Sequence, residues 1–145
     1  MKYIKILFLS LLAAVACQKL DYPEADASNE LSSLKCYVYY DSDNLKSYET
    51  LDVLAGGTFN DQMGAIIYTF PSGERFTSET LTRCRLEATI PSTARLVETD
   101  AQGNELGSGI GGFRNFSAAR TTIYFKVVAA DGSEKKYQAQ FQFNK

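Results

Sequence analysis

Arg120 to Asn144 reads RTTIYFKVVAADGSEKKYQAQFQFN, and the way its side chains alternate decides the fold. Ahead of the Asp131-Gly132 pair, Ile123, Phe125, Val127 and Ala129 alternate with Thr122, Tyr124 and Lys126. This is the period of a half-buried strand, whose successive side chains point to opposite faces. Behind the pair, Tyr137, Ala139, Phe141 and Phe143 alternate with Gln138, Gln140 and Gln142, a second strand of the same kind. Residues directly opposite each other in an antiparallel pair share a face, so the loop length can be tested against the pattern. A two-residue Asp131-Gly132 loop sets Phe125 against Gln138 and mixes the faces. A three-residue loop, Ala130-Asp131-Gly132, sets Phe125 against Tyr137 and Ile123 against Ala139, with glycine at the left-handed position such a loop needs. The three-residue loop is the reading, and the rest of the chain must cover the hairpin's apolar face with a second layer.

Further strands lie on the N-terminal side. Ala94 to Glu98 is a short one, followed by a turn at Asp100 to Asn104. Leu81 to Ile90 (LTRCRLEATI) turns Cys84, Leu86, Ala88 and Ile90 inward and Arg83, Arg85, Glu87 and Thr89 outward, until Pro91 stops it. Gly64 to Phe70 (GAIIYTF) is an apolar run stopped by Pro71. Leu34 to Tyr40 (LKCYVYY) puts Leu34, Cys36, Val38 and Tyr40 on one side and Lys35, Tyr37 and Tyr39 on the other. Leu45 to Leu54 fits neither period cleanly and stays unassigned. Six to seven strands separated by turn signals, with no long amphipathic helix, predict an all-β antiparallel sandwich.

Residues 1–16 have the form of a signal peptide: Lys2 and Lys5, then the apolar run Ile6 to Val15, then small residues before Cys17. The run is too short for a membrane span, which takes about 20 apolar residues. Ala14-Val15-Ala16-Cys17 resembles the lipobox of bacterial lipoproteins, with Ala14 where leucine is usual, a looser form similar to those of Bacteroidota. The resemblance implies lipid attachment at Cys17 and a membrane partner. Each buried methylene contributes about 0.8 kcal/mol and stable anchorage takes more than one chain, which multiple acylation of one cysteine supplies. Residues 17–33, polar and acid-rich, read as a lipidated N-terminus and tether, and residues 34–145 as the domain. Asp21, Glu24 and Asp26 behind the cysteine are similar to signals for the outer face of the outer membrane, which implies surface display.

A chain starting at Cys17 has 129 residues, enough for one domain. Without Lys2 and Lys5 it carries 13 basic against 17 acidic side chains, a net charge of about −4. That balance argues against nucleic acid as a partner. The strand ending in Ala88-Thr89-Ile90-Pro91, the glycine-bearing loop Leu106 to Phe113 and the closing pair Tyr124 to Tyr137 resemble small immunoglobulin-like domains of Bacteroidota surface lipoproteins. That resemblance implies an immunoglobulin-like sandwich beside glycan-uptake machinery and assigns no ligand residue.

With no histidine, Ser-His-Asp and Cys-His nucleophile systems and imidazole metal ligation are excluded. No cofactor or metal site is expected, and a carboxylate-based hydrolase is the remote enzymatic alternative. Gly107, Gly109 and Gly112 satisfy G-x-G-x-x-G in spacing. A turn precedes them and a strand follows, the reverse of the dinucleotide-binding context. Cys36 and Cys84 both face inward, so they are either a disulfide, plausible in an exported protein, or two buried thiols acting as small apolar side chains. Tyr37, Tyr39 and Tyr124 point outward and form either an aromatic strip on which sugars stack or cross-strand packing partners. The expected function is a non-enzymatic accessory binding module at the cell surface, with a glycan or an envelope protein as partner. A spacer or subunit of a surface assembly is the alternative.

Overall fold

The computed structural model describes residues 24–41 and 43–144; the signal segment and Cys17 lie outside the described residues. Among the described residues eight strands form: β1 (Ser33–Tyr39), β2 (Tyr48–Asp52), β3 (Thr58–Asn60), β4 (Ala65–Thr69), β5 (Cys84–Thr89), β6 (Arg95–Thr99), β7 (Arg120–Val128) and β8 (Glu134–Gln142). They make two sheets, β2-β1-β5 and β3-β4-β8-β7-β6, packed as a β-sandwich. Strand pairing is antiparallel except between β4 and β8, which run parallel and make the larger sheet mixed. Among the described residues no helix is long and apolar enough to cross a membrane.

The β7–β8 hairpin takes the register that the loop argument requires. Phe125 lies opposite Tyr137 and Ile123 opposite Ala139. The Ala129 amide donates to the Ser133 carbonyl at 2.8 Å and the Gly132 amide to the Ala129 carbonyl at 3.0 Å, closing a loop of residues 130–132. Gly132 has φ +89°, the left-handed backbone that a side chain would strain. The inward residues of this hairpin meet Leu34, Cys36 and Val38 of β1 and Leu86 of β5 in one core. Its densest part is aromatic: Phe116 stacks on Phe141 with ring centres 4.4 Å apart, and Phe70 lies 6.0 Å from Phe141.

The structure departs from the sequence reading in four places. Leu45 to Leu54 holds β2 and the start of a short helix, α1 (Val53–Gly56), capped by the Asp52 carboxylate accepting from the Ala55 amide. With β3, this raises the strand count to eight. Tyr40 does not turn inward with Val38 but is exposed, because β1 ends at Tyr39 and the alternation ends with it. The strand at Leu81 to Ile90 begins only at Cys84, since Thr80–Thr82 winds into a 3-10 turn that still buries Leu81.

The fourth departure is the tether, whose last part is docked on the domain. The Asp131 amide donates to the Asp26 carbonyl, and the Thr93 hydroxyl to the Asp26 carboxylate at 2.8 Å. Leu31 is buried among the core residues, and its amide donates to the Tyr137 hydroxyl oxygen at 2.9 Å. The ordered body therefore extends N-terminal of residue 34. Leu31→Ala should lower stability by about 2–4 kcal/mol in urea denaturation, the cost of emptying a buried leucine site. A change under about 0.5 kcal/mol, typical of a surface position, would mean that this segment is not part of the core.

Candidate functional site

Because β1 lies between β2 and β5, its outward residues are flanked on both sides. Tyr37 faces Thr50 on β2 and Arg85 on β5, and Tyr39 faces Tyr48. The rings touch across strands: Tyr48 lies 5.3 Å from Tyr37, edge to face, and 5.5 Å from Tyr39. Phe113, half-exposed on the glycine-bearing loop, meets the Tyr39 ring at 5.7 Å. The result is a continuous strip, Tyr37, Tyr48, Tyr39 and Phe113, on the outer face of the smaller sheet.

Two features hold the Phe113 end in place. The Arg114 backbone pairs both ways with Cys84 at the free edge of β5, with N···O distances of 2.9 and 2.7 Å. Its guanidinium grips Glu98 of β6 in the other sheet with two bonds of 2.8 and 2.6 Å, both side chains more than four-fifths buried. Such a paired fork is strong and directional. Further along the loop, the Ser108 carbonyl accepts from the Glu98 amide, and Ile110 is buried.

Beside the strip is a hollow of about 460 Å³ lined by Tyr37, Tyr39, Tyr48, Arg85 and Glu87 among others. The volume falls within the range of small-ligand sites, about 300–1,000 Å³. Arg85 donates through Nε to the Gly111 carbonyl at 3.0 Å and lies over the Phe113 ring at 5.3 Å. Burial pushes the Tyr37 hydroxyl above its ordinary pKa, and the charge of the nearby Glu87 carboxylate adds to the shift. Tyr39 also lines a second hollow of about 310 Å³, with Tyr40, Glu79, Thr80 and Arg83 in its wall. Aromatic faces with a few polar groups placed among them suit a ligand that is apolar on its faces and hydroxylated at its rim.

No family model matches the chain, and neither does any curated protein. A solved structure, that of a Bacteroides fragilis protein thought to be secreted, is similar over 84% of this chain and all of its own, at 18% identity and a TM-score of 0.49. Function is therefore read from the site.

Of the three outward tyrosines singled out in the sequence, Tyr37 and Tyr39 share the strip and Tyr124 does not. Tyr124 sits on β7 in the other sheet, beside a small hollow of about 100 Å³ with Gln102 and Lys136. Alternation reports which face a residue takes and is silent on which sheet carries it. The third tyrosine of the strip is Tyr48, from the stretch left unassigned; had β2 been recognised, its pairing with β1 would have named it.

Cys36 and Cys84 are both buried and both free thiols. Cys36 faces Leu86 while Cys84 faces Val38, so the cysteines are diagonal neighbours on one face. Diagonal neighbours sit about 7–8 Å apart, at or beyond the roughly 7 Å limit for a disulfide without backbone movement. The bond to the Cys84 thiol and burial push the Cys36 thiol far above its ordinary pKa, which suppresses the reactive thiolate. A thiol reagent should find both cysteines unreactive in the folded domain and both titrating in denaturant without reductant. No thiol released in denaturant would establish the disulfide instead.

Proposed function

We propose that this chain is a non-enzymatic, lipid-anchored envelope protein whose tyrosine strip binds a glycan at the cell surface, as an accessory to surface capture. The observation that carries the reading is the contact of Tyr37, Tyr39 and Tyr48 with one another beside a 460 Å³ hollow that also offers Arg85 and Glu87. Sugar rings present apolar C–H faces to such platforms and hydroxyls to the polar groups around them. Tyr48 keeps 44% of its surface in solvent despite its ring contacts, so the strip is open to a ligand.

Anchorage at Cys17, display on the outer membrane and kinship with immunoglobulin-like domains of Bacteroidota lipoproteins belong to the same proposal, supported by the lipobox-like stretch and the acidic residues behind it. The placement of the strip suits it. The docked Asp26 meets the β7–β8 loop and Thr93, near where β1 begins, and Tyr39 lies at the other end of that strand, about 20 Å away at roughly 3.3 Å per residue. An anchor ahead of Asp26 would join the domain at the end opposite Tyr39. The groove's composition supports binding over catalysis, since its lining holds one carboxylate, Glu87, where glycoside hydrolysis takes a facing pair. A spacer role through edge-to-edge strand pairing is less favoured, because the free edge strand β2 carries Glu49 and Asp52, charges that discourage such pairing.

A glycan array probed with the purified domain should enrich a polysaccharide class. The Tyr37→Ala/Tyr48→Ala variant, still folded by circular dichroism, should lose at least about tenfold in affinity for it, as removal of anchor aromatics does. Enrichment of no polysaccharide, or undiminished binding by the variant, would overturn the assignment.

A further inference from the structure

We infer that the groove takes an acidic glycan chain, with sugar faces on Tyr37, Tyr39 and Tyr48 and an anionic substituent, carboxylate or sulfate, on the Arg85 guanidinium. The inference rests on the glycan-binding reading above and adds the charge and the length of the ligand.

The Arg85 head group is fixed from two sides. Its Nε is held by the Gly111 carbonyl at 3.0 Å, and the guanidinium rests 5.3 Å from the centre of the Phe113 ring. Neither contact uses the two terminal nitrogens, which have no acceptor among the described residues. A planar fork held in this way is preorganised for two-point contact with a carboxylate or sulfate. Arg83 lies over the same Phe113 ring at 5.5 Å. Glu87 lines the same hollow, so an anionic substituent has to sit on the Arg85 side of it. The chain as a whole is acidic, with 17 acidic against 15 basic side chains, so any preference for anions has to arise at this spot rather than from net charge.

Length follows from Tyr39, which forms a wall of both hollows, the 460 Å³ one holding Arg85 and the 310 Å³ one holding Arg83. A ligand that fills both passes over the Tyr39 ring, as a linear oligosaccharide does and a single sugar does not.

The test uses polygalacturonate as a carboxylate-only probe, dextran sulfate as a sulfate-only probe and a neutral galactan of similar length, with wild type, Arg85→Gln and Tyr37→Ala/Tyr48→Ala. Wild type should bind one of the anionic chains at least about tenfold tighter than galactan, the gain expected of charge-assisted hydrogen bonds, and less tightly as salt rises. Arg85→Gln should erase that difference, the anionic chain losing far more affinity than galactan, and the tyrosine variant should lose both. Equal wild-type affinity for galactan and both anionic chains, or an anion preference that survives Arg85→Gln, would overturn this inference and leave the tyrosine platform standing. Undiminished binding by the tyrosine variant would overturn the platform, and the inference with it. Whichever anionic chain responds to Arg85→Gln identifies the substituent.

Discussion

Everything on the outer face depends on β1 being paired along both edges. Its central position fixes the register twice, against β2 and against β5, and side-chain period two does the rest. Leu34, Cys36 and Val38 enter the core without residual exposure while Lys35, Tyr37 and Tyr39 stay outside. A slip of one residue would drive a lysine and two tyrosine hydroxyls into an aromatic core with nothing to pair them, at a cost of several kcal/mol per group. The core thus enforces the platform: the same alternation that buries Leu34, Cys36 and Val38 presents Tyr37 and Tyr39 on the other face.

The remainder of the platform is supplied by parts with their own reasons for being there. Asp52 caps α1, and buried Val53 at the start of that helix ties the end of β2 into the core, which positions Tyr48. The glycine-bearing loop is secured at Arg114, whose backbone belongs to one sheet and whose side chain is bonded to the other. Phe116, two residues on, is buried against Phe141. Phe113 and Arg85 therefore sit on fixed supports, so a ligand would meet groups already in place and lose less entropy on binding.

The hairpin was legible in full, down to its register, because an Asp-Gly turn and two uninterrupted alternations leave one loop length that keeps the faces consistent. Tyr37 and Tyr39 were legible for the same reason. Tyr48 was not: β2 is five residues long, with Leu51 its single aliphatic residue, and it runs directly into Val53 and Leu54 of a helix, so two periods merge. Composition also hid the docked tether, since an acid-rich stretch reads as solvated whether or not one leucine within it finds a buried site. Lys126 is a related case, on the outward face by alternation yet only 8% exposed, because Glu105 from the turn behind β6 and Glu134 on β8 close over it as ion pairs of 3.1 and 2.8 Å. Long-range cover of this kind leaves no local mark in the sequence.

The central claim is that β1 turns its tyrosines to solvent as one strip with Tyr48 and Phe113. Side-chain nuclear Overhauser contacts in the free protein test it most directly, without any ligand. The account predicts contacts from the Tyr48 ring to both Tyr37 and Tyr39, and from Tyr39 to Phe113. Contacts instead from Tyr37 or Tyr39 to the core rings Phe125 or Phe141 would contradict it.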